Sequence, residues 1–150
     1  MRVGIEKLDL VDSILRHNSI YPYVIDDYSA DQAVFTFEEI LSSPACYALM
    51  PNEGSLFVFI PQNGILYEVH CAVLPEWRGM QAVGAAKAAK DWMYANTPCQ
   101  KIFTVCPAYN AAAYALARRS GMTRVGVITN SFLKGGKLID LILLSCGKGE

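Results

Sequence analysis

The spacing of apolar residues changes character along the chain. Between residues 7 and 17, Leu8, Val11, Ile14 and Leu15 recur at helical intervals and predict a helix. Asp9 and Asp12 stand early in it and Arg16 and His17 late, as a helix dipole favours. Residues 20–34 mix aromatic and acidic side chains and read as a loop or short helix; residues 37–41 read as another short helix, stopped by Ser42, Ser43 and Pro44. The region 1–43 either only packs over the sheet or forms one wall of a substrate cleft, since aromatic and acidic loops suit an amine-bearing substrate. From Ala45 the period falls to two. Residues 46–51, 55–61 and 65–74 form three strand-length runs, separated by Asn52-Glu53-Gly54 and by Gln62-Asn63-Gly64 with its Asn-Gly hairpin signal. They predict an antiparallel meander.

Strict alternation in the third run puts Tyr67, Val69, Cys71 and Val73 on one face, and Leu66, Glu68, His70 and Ala72 on the other. Pro75 ends the strand and Gly79 supplies a turn. Residues 80–95 then carry a stripe of Ala82, Ala85, Ala86, Ala89, Trp92 and Met93, a helix able to lie close to a sheet. Residues 101–106 are a continuous β-branched and aromatic run, expected where both faces of a strand are covered. Strand, helix and strand at this distance imply a parallel pair with a right-handed crossover. Asn110 suits an N-cap and Gly121 the residue after the next helix. Residues 123–129 and 137–145 read as two antiparallel strands joined through a loop at 130–136.

The bulk properties narrow the function classes. A chain of 150 residues with 53% hydrophobic and 18% charged residues builds one domain, 1–150, with a substantial core. A net charge of −1 gives no general attraction to nucleic acid or to an anionic membrane. The charged start lacks the apolar segment of a signal peptide, and no run has the length of a membrane span. The five cysteines are scattered without a C-x-x-C, so reduced thiols in a cytoplasm fit better than zinc or disulfides.

The chemistry concentrates after the third strand. A glycine-punctuated turn leading into a helix binds anions through backbone N–H groups, and Arg78, Gly79, Met80, Gln81, Ala82, Val83 and Gly84 occupy that place. A Walker lysine-serine pair and a G-x-G-x-x-G are both absent, which argues against an ATPase or a nicotinamide fold. Glu68 and His70 share a face near this turn and are the candidate acceptors of a proton. Each has a plainer alternative, His70 as a satisfied sheet histidine and Glu68 as a partner for a basic residue. Cys71, on the opposite face, reads as core.

The stretch Val73-Leu74-Pro75-Glu76-Trp77-Arg78-Gly79 resembles the start of motif A of the Gcn5-related N-acetyltransferase (GNAT) superfamily. Asn110-Ala111-Ala112-Ala113-Tyr114-Ala115-Leu116-Ala117-Arg118-Arg119-Ser120-Gly121-Met122 resembles its motif B. The resemblance covers residues 66–125. It implies an α/β fold, with a mixed, mostly antiparallel sheet of six or seven strands splayed between 66–74 and 101–106 and helices on both faces. It also implies acetyl-CoA as the donor and an amine, on a small molecule or a protein, as acceptor. Val73 would pair with the pantetheine arm, the turn would hold the pyrophosphate, and Asn110 and Ala113 would lie along the pantetheine. Two departures stand out. Counted from Arg78, the usual glycine positions are Gln81 and Val83, whereas Gln81-x-x-Gly84-x-Ala86 fits three residues later. The usual motif B tyrosine is Ala117; Tyr114, one turn earlier, either substitutes as general acid or packs in the core. The chain further resembles small acetyltransferase-like proteins of tailed bacteriophages. That implies the bacterial host cytoplasm, a homodimer by analogy and, as the alternative to an enzyme, a virion-assembly or host-interaction protein.

Overall fold

The computed structural model describes residues 1–30 and 37–150; residues 31–34 of the aromatic and acidic segment lie outside the described residues. The described helices are α1 (Leu8–Leu15), α2 (Tyr21–Val24), α3 (Asp27–Ala30), α4 (Glu38–Ser42), α5 (Met80–Asn96) and α6 (Ala111–Arg119). The strands are β1 (Arg2–Val3), β2 (Tyr47–Asn52), β3 (Ser55–Pro61), β4 (Leu66–Val73), β5 (Lys101–Pro107), β6 (Thr123–Lys134) and β7 (Lys137–Gly147). They form one sheet in the order β1-β2-β3-β4-β5-β7-β6. Every neighbouring pair is antiparallel except β4 and β5. Among the described residues no helix is long and apolar enough to cross a membrane.

The parallel pair holds only at its base. Leu66, Tyr67 and Glu68 lie opposite Lys101, Ile102 and Phe103, and beyond them the strands diverge. The expected splay is therefore present, and Glu68 stands at its crotch. Between β3 and β4 the register runs unbroken from Ser55↔Val73 to Pro61↔Tyr67. No bulge re-aims β4, so Glu68 and His70 keep the common face that alternation assigns them.

Each sheet face has its own core. Phe57, Phe59, Tyr67, Ile102 and Leu144 pack against Ala85, Ala89 and Met93 of α5. Leu56, Val58 and Ala72 pack against Val11, Ile14 and Ile20 on the other side. Alanines on α5 bring its axis close to the sheet, which keeps its first turn level with the end of β4.

The last hairpin departs from expectation. In place of a loop over 130–136, β6 runs on to Lys134 and the turn is only Gly135-Gly136, with φ of 58° and 73°. That pair of positive angles is what a two-residue hairpin turn needs. The polar residues that look like a loop form a kink inside the strand. Asn130 sits at φ 51°, its N–H donates to Asp140 Oδ1 (2.9 Å), and the register with β7 shifts between Ile128 and Phe132.

Candidate functional site

Where β4 parts from β5, one edge of β4 is unpaired. Leu74 N–H donates to Gly54 O (2.9 Å), so the even residues of β4 face β3 and the N–H and C=O groups of Val69, Cys71 and Val73 point to the open side. Val69 O accepts from Thr104 Oγ1 (2.9 Å), and Val73 O accepts from Arg78 Nε (3.2 Å). Two backbone hydrogen bonds to Cys71 and the N–H of Val73 remain available to an extended ligand.

The turn after β4 is fixed by packing. A Cβ on Gly54 would stand 1.9 Å from Trp77 Cδ1, so the indole lies directly on bare backbone. This seats the single 3-10 turn Pro75–Trp77 and delivers Gly79 as the N-cap of α5 at φ 87°, ψ −139°. No side chain caps that helix. Val83 N–H already donates to Gly79 O (3.2 Å), so the free donors are those of Gly79, Met80, Gln81 and Ala82. The unpaired N–H groups thus follow directly on Arg78, and Val83 and Gly84 fall inside the helix. Met80 and Gln81 are exposed and leave the donors uncovered, while Ala82 and Val83 line a groove of about 510 Å³ with Ser19, Arg78, Asn110 and Ala113. Asn110 Oδ1 caps α6 by accepting from Ala113 N–H (3.2 Å).

A strap formed by residues 18–27 roofs this groove. Ser19 O accepts from Arg78 Nη2 (3.2 Å), Tyr23 O from Tyr109 OH (2.9 Å), and Pro22 O and Ile25 O from Lys134 Nζ. Asp27 accepts from the N–H groups of Gly135 (2.7 Å) and Gly136 (2.9 Å). Beneath the strap a second space of about 690 Å³ runs through the gap between β4 and β5. Glu68, His70 and Asp12 line its strap side with Tyr21, Tyr23 and Phe132. Glu68 Oε1 lies 3.3 Å from His70 Nε2, and this hydrogen bond holds the Glu68 carboxyl below its ordinary range, against the opposing effect of partial burial. Asp12 Oδ1 is buried and makes no hydrogen bond among the described residues, an acceptor ready for a donor in the cavity.

The structure brings Glu68, His70, Val73, Arg78, Gly79, Ala82, Val83, Asn110 and Ala113 around the two connected spaces. It does not bring Tyr114 there. That ring packs on the core beside α5, and Ala117 lines the cavity instead. The 100° step per residue turns Tyr114 away from a wall that its neighbours Ala113 and Ala117 share. Cys71 packs on the helix side, where burial pushes its thiol up to about 12. A thiol raised in this way is a weak nucleophile at neutral pH. Iodoacetamide at pH 7.5 should leave Cys71 unmodified in the folded protein, read by mass spectrometry, and rapid labelling there would contradict this assignment. Asp12, Ser19 and Tyr23 lie in the 1–43 region that reads as cover or cleft wall, but the sequence singles out none of them, nor Tyr109 or the Cys71 backbone. Strap residues carry no periodicity, and which edge of a strand is free depends on register.

Solved structures share this architecture. A spermidine N-acetyltransferase from Vibrio cholerae, solved with CoA and spermine, superposes with a TM-score of 0.75 over 99% of this chain and 94% of its own, at 16% identity. A GNAT-family acetyltransferase from Bacillus anthracis gives 0.76 over 100% and 94%, at 17% identity. The ribosomal-protein-S5-alanine acetyltransferase of Vibrio fischeri gives 0.75 over 100% and 92%, at 13% identity. At such identities the likeness is one of fold, and the fold is that of the GNAT superfamily. In sequence, protein p31 of Acyrthosiphon pisum secondary endosymbiont phage 1 is 29% identical over 85 residues, 57% of this chain and 55% of that protein. The matched part is therefore about half the length of that curated relative. The family model described as "Protein of unknown function (DUF2824)" matches residues 52–150, from the end of β2 to the last residue, and the chain belongs to that family.

Proposed function

We propose that this protein transfers an acetyl group from acetyl-CoA to an amine by direct attack. One observation carries the reading. The uncapped first turn of α5 and the unpaired edge of β4 flank one groove, which leads to the crotch where Glu68 and His70 stand. The donor fits the residues present. The N–H groups of Gly79 to Ala82 suit a diphosphate. The Cys71 and Val73 backbone suits the amides of a pantetheine arm laid along β4 as an added strand. Bound there, acetyl-CoA would supply the activated thioester, a new N–C bond forming as the C–S bond breaks.

The remaining work belongs to this chain. Glu68 or His70 takes the proton that the acceptor ammonium must lose before its nitrogen can attack. Ala117 offers no proton to the departing thiolate, so water supplies it. Asp12 and Glu68 draw a cationic acceptor into a cavity whose lining is mostly aromatic and aliphatic, with Arg16 and Lys90 as the other charged side chains. The acceptor class is thus an amine with an apolar body; the Vibrio cholerae neighbour was solved with the polyamine spermine.

Calorimetric titration with acetyl-CoA tests the donor half, and release of free thiol across a panel of polyamines, aryl-alkyl amines and peptides tests transfer. Failure to bind at millimolar acetyl-CoA would sink the reading. Binding without turnover across the panel would point instead to an interaction protein built on this scaffold.

A further inference from the structure

One side chain touches the donor groove, the free edge of β4 and the strap together. Arg78 Nε donates to Val73 O (3.2 Å) and its Nη2 to Ser19 O (3.2 Å), and the residue lines the groove beside Gly79. These bonds leave guanidinium N–H groups over, and among the described residues no carboxylate pairs with the charge. The strap turn that it grips is hydrogen-bonded to itself. The N–H groups of Ile20 and Tyr21 donate to His17 O (2.9 Å each), and that of Tyr23 donates to Ile20 O (3.0 Å). Tyr23 and Val24, which follow, line both the groove and the cavity that holds Glu68 and His70. Whatever fixes this turn therefore fixes a wall of the acceptor cavity. The other gripping side chains, Tyr109 and Lys134, stand on other parts of the body, and Arg78 is the one next to the α5 turn.

We infer that Arg78 is a positioning residue for the acceptor, through which a bound donor sets the strap. A diphosphate seated on the N–H groups of Gly79 to Ala82 takes the spare guanidinium donors, and bonds of that kind are charge-assisted and strong. The planar fork is rigid, so fixing one side of it fixes the other. Ser19 O is then held harder, and with it the wall at Tyr23. The inference rests on the coenzyme A reading above and deepens it, since it gives the donor a part in shaping the acceptor cavity. By linkage, an amine bound against that wall tightens the donor by the same factor.

Hydrogen exchange read residue by residue, with and without saturating coenzyme A, tests this without knowledge of the acceptor. On the unaltered protein, exchange at the amides of Ile20, Tyr21 and Tyr23 should slow about tenfold, the effect of strengthening one hydrogen bond to a charged group. Arg78→Met removes every donor, and at a coenzyme A concentration that saturates the variant the slowing should vanish. Arg78→Lys keeps the charge without the fork and should regain affinity without regaining the slowing. Arg78 is exposed, so both variants should melt like the unaltered protein. Exchange unchanged by bound coenzyme A in the unaltered protein overturns the inference and leaves the coenzyme A reading standing. Slowing that persists in Arg78→Met would come from the ligand covering the strap directly, and full slowing in Arg78→Lys from charge alone; either overturns the bridge. Absence of coenzyme A binding by calorimetry overturns both readings.

Discussion

Glu68→Gln is expected to lower turnover with a responsive amine about 100- to 1,000-fold, within the range for loss of a positioned general base. Affinity for acetyl-CoA should change little, because Glu68 lies on the strap face and the donor groups lie at the α5 turn and the β4 edge. The pH dependence separates this role from a structural one. The bond from His70 holds the folded-state carboxyl below its ordinary value of 4.5. A depressed carboxyl contributes stability above its unfolded value, and that contribution disappears as pH falls through the folded value. The melting-temperature gap between the unaltered protein and Glu68→Gln should therefore close as pH falls below about 4.5. Removing the donor with His70→Ala should shift the closure to higher pH. Turnover that survives Glu68→Gln intact would assign Glu68 to the pair alone.

Gly79→Val should be the most damaging single change at the donor end. At φ 87°, ψ −139° the backbone lies where almost only glycine goes, and a β-branched side chain is strained there by about 1–3 kcal/mol. A Cβ at this position meets nothing within 4 Å, so the cost is conformational and not steric. The turn relieves it by rotating, which re-aims the N–H groups of Gly79 to Ala82 away from their common focus. Affinity for coenzyme A should fall about ten- to a hundredfold, the equivalent of that strain at 1.4 kcal/mol per decade. A melting temperature lowered by several degrees should accompany it. Thermal melts and calorimetry on one preparation check both halves, and coenzyme A affinity unchanged in the variant would remove the α5 turn from the donor site.

The parts that could be read from the sequence are those in which one residue type has one physical use. Alternation in β4 placed Glu68 and His70 together, and the structure keeps them 3.3 Å apart. The alanine stripe marked the face of α5 that meets the sheet. Asn110 and Gly121 marked the ends of α6, and Gly121 does take a positive φ of 102°. Features set by register were hidden. The motif A glycine pattern left two registrations open, and the hydrogen bond from Val83 to Gly79 shows that the unpaired N–H groups lie in the earlier one. Tyr114 looked available because helix position alone does not say which wall a side chain joins. Residues 130–136 looked like a loop because a polar bulge inside an exposed edge strand has the composition of a turn. For the roof, the sequence offered a cleft wall as one of two readings of residues 1–43, but not its anchors. Its anchors pair residues as much as 112 positions apart, Pro22 with Lys134.

Those anchors have a further property. At Ser19, Pro22, Tyr23 and Ile25 the roof contributes its main-chain carbonyls, and the gripping side chains, Arg78, Tyr109 and Lys134, all belong to the body. A carbonyl is common to all twenty amino acids. The body therefore holds the roof by its path and is indifferent to its spelling, with Asp27 as the exception. On the proposed function, side chains at 21–25 could be rewritten for a new acceptor at little cost to the clasp, whereas Ile20 is held in the core. The family match begins at residue 52, so it spans the gripping residues and omits what they grip. Variation in a roof held this way would retarget the chemistry and leave the machinery for the donor unchanged.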